Sequence, residues 1–183
     1  MNILTLYHGT ASDFDEEDVT RGKGYKDFGK GFYLTGDKEH AIRMAKRVRI
    51  IEIAKRKRMN VQDADVSAYV YEHQLDFDLL KNSQFNIKEF CNGDVIEWVD
   101  FVLANRQSPN KTHDYDVVIG ATADDDTRIS LDTYRMGAYG KVGSDTAKQA
   151  LVPALELDVF PKQTFIATQG VADMLKLVQK EVV

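Results

Sequence analysis

The segment Lys26–Thr35, KDFGKGFYLT, sets two glycines directly before a run of strand-forming residues. With Gly22 and Gly24, it makes Arg21–Gly31 a loop that feeds a strand at Phe32–Leu34. That order excludes a dinucleotide fingerprint. There the glycine turn follows a strand, opens a helix and carries a third glycine. The other strand signals are short and irregularly spaced. Ile3–His8 is apolar and stops at Gly9, Val66–His73 is rich in β-formers, Tyr115–Ile119 stops at Gly120, and Gln163–Ala167 is brief. Asp13–Asp18 is acidic and reads as loop.

Helical spacing fills the intervals. Asp37 is placed to cap a helix in which Ala41, Ile42, Ala45 and Val48 recur, running to about Lys57. Asn86–Arg106 reads as helical with a break at Asn92-Gly93. Asp124–Asp126 opens a helix through Tyr134. Ser144–Leu155 is a helix capped by Ser144 or Asp145, and Val171–Val178 is an amphipathic terminal helix. The expectation is one α+β domain over residues 1–183, without the regular strand–helix rhythm of a doubly wound sheet.

Composition narrows the function. The single cysteine, Cys91, gives no disulfide framework, fits a reducing compartment and reads as a small core residue. No leader signature and no run of about 20 apolar residues is present, so the expected location is cytoplasmic, with no membrane partner. The net charge of −5 offers nucleic acid no general attraction. Arg43–Arg58 is nonetheless strongly basic, with only Glu52 opposing. It is either a solvated helix face or a docking strip for RNA, DNA or an acidic partner. His8, His40, His73 and His113 lack ligand spacing, and Asp124–Asp126 does not fit a calcium loop, so no metal is expected. Trp98, Phe101 and Val102 read as core.

Two motifs carry chemistry. His8-Gly9-Thr10 sits at the end of a strand. An imidazole there can donate to a sugar hydroxyl, and a bare glycine backbone offers a carboxamide one donor and one acceptor. Taken alone, the string also fits a turn with a polar histidine. In Phe28–Leu34, Gly29 and Gly31 keep the approach open. Alternation then sends one of Phe32 and Tyr33 into the core and the other toward a cleft. A tyrosine stacked on a planar heterocycle gains about 0.5–1.5 kcal/mol beyond buried area.

YHGT, KDFGKGFYLT, DYDVVIGATADDD and QTFIAT, in this order, resemble a bacterial family known as domain of unknown function 3990. The first two also resemble the opening motifs of the ADP-ribosyltransferase superfamily, in its poly(ADP-ribose) polymerase-like branch. The resemblance spans nearly the whole chain. It implies a split antiparallel β-sheet with helices outside, and NAD as co-substrate. His8, Gly9 and Thr10 fall on the motif that holds the nicotinamide riboside, and Tyr33 on the tyrosine that stacks on nicotinamide. Met44 falls near the place of a second aromatic.

Gln163 falls where the polymerase branch has its catalytic glutamate. An amide can accept a bond from a ribose hydroxyl, but it cannot deprotonate an acceptor, a role worth about 10²–10⁴ in rate. The resemblance therefore implies transfer of a single ADP-ribose, with Asp27, Glu156 or Asp124–Asp126 as carboxylates that could assist. It further implies a toxin held by an antitoxin or acting in a phage-related setting, with a protein or nucleic-acid acceptor. The rivals are a degenerate module that binds NAD, ADP-ribose or a partner without transfer, and RNA 2′-phosphotransfer.

Overall fold

The mostly apolar run Ile3–Thr10 forms an interior strand, β1, of a computed structural model that describes residues 1–61, 66–123, 125–155 and 157–183. The other strands are β2 (Phe32–Thr35), β3 (Tyr69–Asp76), β4 (Ile87–Glu89), β5 (Val117–Ala121), β6 (Lys162–Ile166) and β7 (Lys176–Val182). Six α-helices join them among the described residues: α1 (Lys38–Arg58), α2 (Phe77–Lys81), α3 (Val95–Arg106), α4 (Asp125–Arg135), α5 (Asp145–Leu151) and α6 (Gln169–Ala172). The strands form one sheet in the order β4-β5-β6-β2-β1-β3-β7, antiparallel except for β4 and β5. This is the mixed α+β architecture expected from the sequence. No helix among the described residues is long and apolar enough to cross a membrane.

The sheet is continuous on either side of one weak seam. β1 pairs with β3 along its whole length, from Ile3–Asp76 to Thr10–Tyr69. β2 pairs with β6 over its four residues. Between these halves, β1 and β2 pair at Tyr7–Thr35 alone.

Strand alternation distributes the core. Phe165 and Val118 point to one face, where Trp98, Val99 and Val102 of α3 and Leu151 of α5 cover them. Their neighbours Ile166 and Val117 point to the other, with Leu6, Phe32, Leu34 and Leu75. A third, smaller cluster packs Ala41 and Ala45 of α1 against Val70 of β3. Those two alanines are the only described residues of α1 that are buried, so the basic strip Arg43–Arg58 lies along a helix whose outer half stands clear of the sheet. The Asp37 cap forms as expected, its carboxylate accepting from the Glu39 N–H at 2.9 Å.

Three expectations are corrected. The first half of Asn86–Arg106 is not helical: Ile87–Glu89 adds to the sheet edge, and the helix starts at Val95, after the turn at Asn92–Asp94. The Asp116 carboxylate anchors the Asn86 N–H at 2.8 Å, which steers this segment alongside β5. Val171–Val178 is not one helix either. It stops at Ala172, and KLVQKEV continues as β7 on the open edge of β3. The backbone hydrogen bonds that an edge offers outweigh a weak helical stripe with nothing to pack on. Cys91 is exposed rather than core, its thiol 3.2 Å from the Asp94 carboxylate.

Trp98 is fully buried between α3 and the sheet. Trp98→Ala should cost about 3–5 kcal/mol of unfolding free energy, measured by urea titration.

Candidate functional site

The parting of β1 from β2 after Tyr7 leaves His8-Gly9-Thr10 along the lip of a cleft of about 890 Å³. Ligand pockets usually enclose about 300–1,000 Å³. His8, Gly9 and Thr10 from β1, Tyr33 from β2, Met44 from α1 and Gln163 from β6 all line it. Thus every residue singled out from the sequence reaches one hollow, although the residues are spread over 155 positions of chain between His8 and Gln163.

His8 spans the seam. Its Nδ1 lies 2.8 Å from the Tyr33 carbonyl, and its ring stacks on Phe32 with centroids 4.3 Å apart. Burial lowers its pKa to about 4, against the opposite pull of the Tyr33 carbonyl. At neutral pH the ring is therefore uncharged. Nδ1 must carry the proton, because a carbonyl only accepts, and Nε2 is left as a lone-pair acceptor. The sequence reading had this imidazole donating to a hydroxyl; the geometry reverses the direction of that bond.

Gly9 lines the cleft and also carries a packing constraint. A Cβ there would stand 2.0 Å from the Ala41 carbonyl oxygen and 3.0 Å from the Ala45 nitrogen. Its bare side faces α1, and the glycine is demanded by the crossing of helix on strand. Gly31 is similar: a Cβ would meet the Ile166 carbonyl oxygen at 2.4 Å and the Phe165 ring. At both glycines backbone meets backbone, and the bare side of Gly31, expected to keep an approach open, packs on β6 instead.

Tyr33 is clamped through its hydroxyl. It donates to the Gly29 carbonyl at 2.7 Å and accepts from the Phe28 N–H at 3.1 Å. Its ring tilts against Phe165 at 5.0 Å. Burial drives the phenol far above its ordinary pKa, so it stays protonated and serves as a fixed ring, not a proton carrier.

Met44 shares one face of α1 with His40, Ala41, Arg47 and Val48, the spacing of a single helical stripe turned to the cleft. Gln163 lies opposite Thr35 in the β2–β6 ladder, and its Nε2 donates to Asp27 Oδ2 at 2.9 Å. Of the other carboxylates named as helpers, Asp124 and Glu156 lie outside the described residues, as do the side chains of Asp125 and Asp126.

Sequence reasoning missed two parts of the site. Arg106, at the end of α3, lines the cleft and pairs with Asp27 at 2.7 Å. The loop before β2 forms a second wall. Phe14 stacks on Tyr71 at 4.0 Å and stands edge-on to His8, Asp13 accepts from the Tyr71 hydroxyl at 2.9 Å, and Glu17 meets His73 at 2.5 Å. The only hint was an aromatic residue set in an acidic loop. Arg21, Lys23 and Arg47 also line the cleft, and among the described residues none of the three makes an ion pair. Among the described residues no three His, Cys, Asp or Glu side chains converge as a metal site.

The family model described as "Protein of unknown function (DUF3990)" matches residues 4–177. No curated protein and no solved structure matches the chain.

Gly9→Ala tests the crossing of α1 on β1. Forcing a methyl group against the α1 backbone should destabilise the fold by about 1–3 kcal/mol, read as a lower urea midpoint at unchanged slope.

Proposed function

The chain belongs to the DUF3990 family, and from that footing we propose that it is an NAD⁺-dependent mono-ADP-ribosyltransferase of the poly(ADP-ribose) polymerase-like branch. The observation that carries the reading is the convergence of His8, Tyr33 and Gln163, from the three neighbouring strands β1, β2 and β6, on one cleft. Each has a chemical task that fits. The neutral imidazole accepts from a ribose hydroxyl through Nε2. The clamped Tyr33 ring lies against nicotinamide, and Gly9 and Thr10 supply backbone to its carboxamide. Met44 offers a polarisable contact at a ring edge. The cations Arg21, Lys23 and Arg47 suit a pyrophosphate.

The reaction breaks the bond between the ribose anomeric carbon and nicotinamide through an oxocarbenium-like state, as in glycoside cleavage. Nicotinamide leaves with the bonding electrons. The acceptor's nucleophile forms the new bond to the same carbon and gives up its proton to solvent water. With an amide at residue 163, the product is a single ADP-ribose on a protein or nucleic-acid acceptor. The exposed basic half of α1 supports a polyanionic acceptor or an acidic neutralising partner. Unchecked transfer harms a cell, so a toxin held by an antitoxin belongs to this reading. A second reading, binding of NAD⁺ or ADP-ribose without transfer, draws on Gln163 standing where a carboxylate would act.

Nicotinamide release and calorimetry with NAD⁺ separate the two: binding without release in the presence of cell extract selects the second. Mass spectrometry of cell protein and nucleic acid should find a single ADP-ribose adduct with the wild type and none with His8→Ala. Long polymer ladders would refute the assignment. Tyr33→Ala should weaken NAD⁺ binding about two- to twelvefold, the free-energy range of one ring contact.

NAD⁺ affinity should hold from pH 8 to pH 5.5 and fall as pH approaches 4, where His8 gains its second proton and Nε2 stops accepting. An ordinary histidine would instead lose affinity near pH 6.5. Because the folded pKa lies below the unfolded one, the unfolded chain takes the proton first. Stability therefore also declines as pH falls through that window.

A further inference from the structure

We infer that Asp27 is a positioning residue that turns the Gln163 amide so that its carbonyl oxygen faces the cleft; this rests on the functional reading above. Asp27 Oδ1 accepts from Arg106 Nε at 2.8 Å and from Arg106 Nη2 at 2.7 Å. Its Oδ2 accepts from the Ala123 N–H at 3.1 Å and from Gln163 Nε2 at 2.9 Å. Arg106 in turn donates to the Ala123 carbonyl at 2.8 Å, which fixes the guanidinium between the glycine loop and the chain beyond β5.

Two consequences follow from the donor and acceptor inventory. A carboxylate offers about four lone-pair sites, and here four N–H groups fill them. Asp27 has no site left to take a proton from an acceptor, which excludes it as the missing base. The second concerns Gln163. Its nearest groups on one side are both acceptors, Asp27 Oδ2 and, at 3.5 Å, the Ala121 carbonyl oxygen. Only the NH₂ end can face them, so Oε1 points the other way. Among the described residues Oε1 takes no hydrogen bond within the chain. It is not one of the buried unpartnered atoms either, which belong to His73, Trp98 and Thr168. On a cleft-lining residue, that leaves a pre-aimed acceptor for a sugar hydroxyl.

The same contact explains why residue 163 is an amide. A glutamate there would set its carboxylate against that of Asp27, and two such groups cannot both ionise at that distance. Asp27 and Gln163 form a matched pair: the loop carboxylate selects the amide on β6.

The test uses Asp27→Asn, Gln163→Glu and the double variant, each checked for its melting temperature and titrated with NAD⁺ by calorimetry. In Asp27→Asn the Arg106 cation claims the one remaining oxygen, so an NH₂ replaces Oδ2; the Ala123 N–H loses its acceptor, which lowers the melting temperature, and the Gln163 amide flips and turns its own NH₂ to the cleft. NAD⁺ affinity should drop about tenfold, the value of one hydrogen bond to a sugar hydroxyl. The double variant restores one donor and one acceptor at the contact, with roles exchanged, and should bind within about twofold of wild type.

Gln163→Glu alone should bind poorly at pH 8 and recover toward pH 5 as the facing carboxylates share a proton. This holds even if Asp27→Asn does not fold. Wild-type affinity with Asp27→Asn, no rescue in the double variant, or a flat pH profile for Gln163→Glu would each overturn the pairing. If wild type itself binds no NAD⁺, the functional reading falls and the pairing's role falls with it. If wild type binds and these variants behave alike, the pairing alone falls.

Discussion

β1 and β2 exchange backbone hydrogen bonds around Tyr7–Thr35 and then diverge, and the candidate site exists because they do. Strands that stayed zipped would pair His8, Gly9 and Thr10 on both edges. Parted, they keep the β3 ladder alone, and backbone groups on the β2 side face the cleft, where each needs a partner. One such group is met internally: the Tyr33 carbonyl accepts from His8 Nδ1–H. That bond acts as a tie across the gap. It also chooses the imidazole tautomer, so the seam that opens the cleft also decides what His8 offers a ligand.

What holds β1 away from β2 is packing on its other side. α1 crosses β1 closely enough that only a glycine fits at residue 9. The full-length ladder with β3 fixes β1 from the opposite edge. The cleft is therefore bounded by a helix–strand contact with little room to yield, because close-packed interiors resist even small volume changes. A ligand would enter a preformed wall of α1 on one side and, on the other, a loop pinned by Tyr71 and His73.

The glycine loop Arg21–Gly31 joins this frame to the far half of the sheet. Tyr33 reaches back to Phe28 and Gly29, and Asp27 gathers Arg106, Ala123 and Gln163. Three distant segments of chain meet at one carboxylate, 13% exposed. A partly buried carboxylate is stable only when paired and hydrogen-bonded, and this one is both. The loop is held by specific polar contacts even though its composition reads as flexible.

Much of this was legible in the residues. The Asp37 cap, the helix it opens, most of the strands and the pair of motifs around His8 and Tyr33 follow from local chemistry, because caps, turns and strand runs act over a few residues; Met44 and Gln163 came only from the family resemblance. The edges were not legible. Ile87–Glu89 and Lys176–Val182 become strands because a neighbour offers an unpaired edge, and no local window contains that neighbour. The same reason hid Arg106, which matters only once α3 lies beside Asp27. It also hid the direction of the His8 bond and the orientation of the Gln163 amide. The sequence by itself determined which groups the cleft would hold. Tertiary structure decided which atom of each one faces inward, since donor and acceptor roles are settled by partners that lie far along the chain.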